Sequence, residues 1–120
     1  DLGEGFEMRN EAGAKALDAE SMQWRAAHKA RETVAADHEL RHDLKLLHEL
    51  IHDADKDIEK TEKFLKLTED EFRRGVKNGP DLRGAFQQLY EFRQRRTDLY
   101  RDYHETHAEL LALTAGGESR

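Results

Sequence analysis

Histidine is the residue type in this chain best suited to chemistry, and it recurs at helical spacing. There are seven in 120 residues. His38 and His42 lie four apart, as do His48 and His52, and His104 and His107 lie three apart. On a helix either spacing sets both imidazoles on one face, within reach of one metal ion. Zn²⁺, Ni²⁺ or Co²⁺ is the divalent ion that neutral imidazoles would take. Glu49, Asp53 and Glu105 stand beside them in sequence, able to hydrogen-bond the rings or replace one as ligand.

Other constellations carry weaker chemistry. Glu39 with His42, and Glu49 with His52, have the Glu-x-x-His spacing of di-iron bundles, but neither histidine falls on an inward position. The run His38-Glu39-Leu40-Arg41 followed by Leu44 is similar to the phosphoacceptor box of sensor histidine kinases. That resemblance implies an exposed, phosphorylated His38 on a dimeric helical hairpin. Asp43 stands where the family usually has proline, and no nucleotide-binding sequence follows. The segment LHELIHDA, with Glu69 further on, looks loosely like the start of helical periplasmic nickel/cobalt sensors, over roughly 25 residues. Arg93, Arg95, Arg96 and Arg101 cluster near Tyr90, Phe92 and Tyr100, the composition of an RNA-binding face. Glu91, Asp98 and Asp102 interleave with them, so ion pairs within the protein are the simpler expectation. The chain has no glycine-rich phosphate loop and no Ser/His/Asp set with a pocket to hold it, so no enzyme is expected.

The elements that position these residues are helices. From about residue 37, Leu40, Leu44, Leu47, Ile51, Ala54, Ile58, Thr61, Leu65, Thr68 and Phe72 advance by alternating steps of four and three. Leu82, Ala85, Leu89, Phe92, Arg96, Leu99, Tyr103, Thr106, Leu110 and Leu113 do the same. Both are heptad seams of the a and d kind. Gly75 and Asn78-Gly79-Pro80-Asp81 between them combine a helix stop with a helix start. Thr68-Glu69-Asp70-Glu71 has capping-box spacing and could restart a helix there, against the uninterrupted heptad. The expected fold is therefore all-α: a long antiparallel helical hairpin of coiled-coil type over residues 37–114, with its turn near 75–80. Residues 1–13 are expected as a flexible N-terminal arm and 115–120 as a polar tail. Residues 14–36, rich in alanine with a thin stripe of Leu17, Trp24, Ala27 and Val34, are expected as a helical extension or a third helix.

That hairpin gives the histidines a meeting place. Centring the turn between Asn78 and Gly79 makes facing residue numbers add to about 157 in an antiparallel pair. His52 then faces residue 105 and His48 faces residue 109. In heptad letters His48 and His107 both fall at e, and His52 and His104 at b. Two countings thus converge on one flank.

Composition bounds the rest. Charged residues are 38% of the chain and the hydrophobic set only 37%, with a net charge of −6. That charge argues against nucleic acid as a partner, and no run of about 18 apolar residues exists to span a membrane. Cysteine is absent, which excludes disulfides and thiolate ligands. Beginning at Asp1, the chain is expected to be a processed product or part of a longer one. A two-helix hairpin this small and polar is marginal alone. The leading expectation is accordingly a non-enzymatic scaffold or adaptor that forms an oligomeric helical bundle, as a homo-oligomer or with a partner helix. Trp24, Leu17 and Val34 are its candidate partner-binding residues. A divalent-metal module using His48, His52, His104 and His107 is the alternative expectation.

Overall fold

The computed structural model describes residues 2–118. It holds two helices, α1 over Leu2–Arg73 and α2 over Gly79–Glu118, and no strand among the described residues. The chain divides into two units, residues 1–38 and 39–120.

In the second unit α1 and α2 pack as a hairpin. Its buried residues are Ile51, Ala54, Ile58, Thr61, Leu65, Thr68, Ala85, Leu89, Leu99 and Leu110, every one a predicted seam position. Ile58, Leu65, Ala85 and Leu89 form one cluster, with Leu82 and Phe92 against it. Ile51, Ala54 and Leu99 form another, with Leu47, Leu50 and Tyr103. Phe72, the last seam position predicted on α1, is 43% exposed, at the end of the seam beside the turn.

Two polar residues inside the seam are satisfied locally. Thr61 donates its hydroxyl to the Asp57 carbonyl at 2.7 Å, and Thr68 to the Phe64 carbonyl at 2.8 Å. A hydroxyl turned onto the preceding turn of its own helix leaves no buried group without a partner. Thr68 therefore fills a core position and does not restart the helix, and α1 runs through it unbroken. Arg96, the third polar seam residue, is half-buried and carries its guanidinium out to Asp55 at 3.1 Å.

The turn is built from two complete caps. Gly75 sits at φ +79°, the left-handed conformation that favours glycine. With it in place, the Gly75 amide reaches the Phe72 carbonyl at 3.0 Å and the Val76 amide reaches Glu71 at 2.8 Å. These are the two bonds of a Schellman ending. Asn78 then opens α2. Its Oδ1 accepts from the Asp81 amide at 2.9 Å, while the Asp81 carboxylate accepts from the Asn78 amide at 3.1 Å. This is a reciprocal capping box with Asn and Asp in the usual Ser/Thr and Glu roles.

Two boundaries differ from the sequence expectation. Residues 2–13, expected as a loose arm, belong to α1. The alanine-rich stretch 14–36 lies in the same helix, the extension among its two expected forms. Gly5 and Gly13 are tolerated because a glycine on an exposed helix costs only about 1 kcal/mol relative to Ala. Likewise Ala115-Gly116-Gly117 does not end α2, which continues to Glu118. The last two residues of the expected tail lie outside the described residues.

Candidate functional site

Two surfaces hold the residues singled out by the sequence. The first is one flank of the hairpin. His48 and His52 line a shallow depression together with Ile51, Asp55, Tyr100 and Tyr103. Glu49 and Asp53 adjoin the same two histidines on the outer side of α1. His104 and His107 stand against the same tyrosines. Tyr100 stacks on His104 with ring centroids 6.5 Å apart, Tyr103 stacks on His107 at 6.3 Å, and Tyr103 meets His104 edge-on at 6.0 Å.

All four histidines are thus neighbours of one tyrosine pair. Among the described residues, however, no three His, Asp or Glu side chains are arranged to hold a metal ion. The register also differs from the one counted from the sequence. The cross-helix pairs Arg93–Glu62 at 3.2 Å and Arg96–Asp55 at 3.1 Å centre the hairpin near residues 76–77, about two residues before Asn78–Gly79. Facing numbers add to about 153, not 157, a slide of about one helical turn. Tyr100 and Tyr103 come to the level of His52 in place of residue 105, and aromatic rings fill the flank where imidazoles were expected to converge. Glu105, expected near the set, is exposed. The tyrosines were missed by looking only for ligand types. Their signal was present as aromatic-x-x-x-His spacing, which stacks two rings on one helical face.

Three of the four clustered arginines are engaged by carboxylates. Arg93 pairs with Glu62, Arg96 with Asp55 and Arg101 with Asp98.

The second surface is the first unit. Every residue from Glu7 to Glu32 is exposed. Leu17 is 68% exposed, Trp24 63% and Val34 70%. Trp24 has one aromatic neighbour, His28, stacked nearly parallel at 5.2 Å, and His28 in turn reaches Glu32 at 3.0 Å. Ala30, Arg31, Val34, Ala35 and His38 outline a shallow, mainly apolar groove. His38, the residue of the phosphoacceptor-like run, is therefore an exposed wall of that groove.

No protein-family model, curated protein or solved structure matches this chain. No helix among the described residues is long and apolar enough to cross a membrane.

Proposed function

We propose that the protein is a non-enzymatic helical scaffold whose work is assembly. The hairpin is its folded base, and the helical segment before residue 39 is its interaction arm within an oligomeric coiled-coil bundle. The observation that carries this reading is the unbroken exposure from Glu7 to Glu32, with an indole and several large aliphatic side chains among the exposed residues. In proteins most helical stability comes from packing of an apolar face and not from helix propensity. Burial against another helix is what makes such a segment stable.

Area bookkeeping agrees. The chain exposes 9827 Å². A compact monomer of 13.9 kDa exposes about 6,700 Å² by the usual scaling. The difference, about 3,100 Å², is roughly four times the area of about 800 Å² that each partner buries in a standard interface.

Amide hydrogen exchange of the full chain across a concentration range tests the reading, read alongside light scattering. Residues 7–32 are expected to gain protection as concentration rises, in step with an increase in mass. A strict monomer whose residues 7–32 are equally protected at every dilution would overturn self-assembly.

A further inference from the structure

The exposed stripe of the first unit matches itself when reversed. Leu17, Glu20, Trp24, Ala27, Arg31 and Val34 advance by 3, 4, 3, 4 and 3 residues, a heptad seam whose spacing is the same in both directions. Its composition is also self-complementary. Turned end for end about a point between Arg25 and Ala26, Leu17 meets Val34, Glu20 meets Arg31 and Trp24 meets Ala27. An aliphatic faces an aliphatic, an acid faces a base, and the largest side chain faces one of the smallest. Across the whole span 17–34, no two residues brought face to face carry like charge.

We propose that this stripe is an isologous docking surface for a second copy of the chain, the two α1 segments pairing antiparallel about a two-fold axis beside Arg25 and Ala26. The proposal rests on the scaffold reading and names its partner and orientation.

Three observations select this occupant. First, among the described residues neither Glu20 nor Arg31 has an ion-pair partner within its own chain, whereas in the hairpin Arg73, Arg93, Arg96 and Arg101 each pair with a carboxylate. The two-fold creates two Glu20–Arg31 pairs, each between copies. Second, Arg31, Val34, Ala35 and His38 outline a diamond-shaped hollow. Residues spaced i, i+3, i+4 and i+7 make the hole that receives one knob of a facing helix. Leu17 of the second copy arrives at that level. Third, the alternatives place charge badly. Parallel pairing in register sets Glu20 against Glu20 and Arg31 against Arg31. A slide of one heptad sets Glu20 against Trp24 in one direction and Arg31 against Ala27 in the other.

Charge reversal in the full chain tests the pairing, with sedimentation equilibrium as the readout. Glu20→Arg and Arg31→Glu are each expected to raise the dimer dissociation constant by on the order of tenfold or more, since like charges then face each other in the seam. The double variant Glu20→Arg/Arg31→Glu is expected to return to near the parent value. Folding does not confuse the result, because hydrogen exchange of residues 39–113 reports each variant's hairpin separately. A double variant as weak as the singles would overturn the proposal.

Crosslinking fixes orientation in a chain that has no cysteine of its own. Leu17→Cys/Val34→Cys is expected to form an intermolecular disulfide on mild oxidation. Leu17→Cys alone is not, because an antiparallel pair holds those two positions about 25 Å apart at 1.5 Å per residue. Ready dimerisation of the single variant would mean parallel pairing and would overturn the inference. If the parent associates but no charge variant alters it, this surface is wrong while the scaffold reading stands. If the parent is a monomer throughout, both self-association and this pairing fall.

Discussion

The two units use the same element differently. From residue 39 onward α1 carries Leu, Ile and Ala at its seam positions, and α2 returns to bury them. Before residue 39 the helix carries its large side chains outward, and none from Glu7 to Glu32 is buried. Helical periodicity is therefore shared, while burial is not. Where the opposing strip of apolar residues is supplied by the same chain, a heptad becomes a core. Where it is not, the heptad stays exposed.

Truncation breaks that comparison most sharply. Ile58→Ala, at 4% exposure, is expected to destabilise the hairpin by roughly 2–4 kcal/mol through lost burial and the cavity left behind. Trp24→Ala in the dilute monomer is expected to change hairpin stability by less than about 0.5 kcal/mol. Denaturant melts monitored by hairpin helicity measure both, and comparable losses would refute the division.

The turn is the next largest lever. A Cβ at Gly75 meets no atom within 4 Å, so the cost of Gly75→Ala is backbone strain alone at φ +79°. It is expected at about 1–2 kcal/mol. Asn78→Ala removes the acceptor for the Asp81 amide and is expected to cost about 1 kcal/mol. Thermal melts should rank the two in that order. Neither change should alter hydrogen exchange in residues 7–32 of the dilute protein, every one of which is exposed.

The smallest effects belong to the ion pairs. Asp55→Asn and Glu62→Gln break exposed cross-helix pairs and are each expected to cost less than about 0.5 kcal/mol at moderate salt. Melts at low and high ionic strength should converge. A loss above 1 kcal/mol that survives high salt would mean that these pairs, more than the seam, set the hairpin's register.

How far the sequence could be read depended on what each feature answers to. The seam was legible residue by residue, from Ile51 to Leu110, because burial on a helix follows from 3.6-residue geometry alone. The turn was legible too, since Gly75 and Asn78 respond to local backbone needs. The N-terminal arm was misread: Gly3, Gly5 and Gly13 suggested loose chain, yet the surrounding Glu, Met, Ala and Lys are strong enough helix formers to carry them. The histidine flank was half legible. Its members were placed on one side of the hairpin, but the rings that stand with them were not foreseen.

By itself, then, the sequence determined that residues 37–114 form two helices, which residues face inward and where the chain reverses, because periodicity and capping act within a few residues. Only the tertiary structure decided that Tyr100 and Tyr103 stand beside His48 and His52. That outcome hangs on the axial register of two helices, and register is set by how Ala54, Ile58, Ala85 and Leu89 interlock and by the length of the Gly75–Asn78 turn, quantities to which a heptad pattern is blind within about one turn.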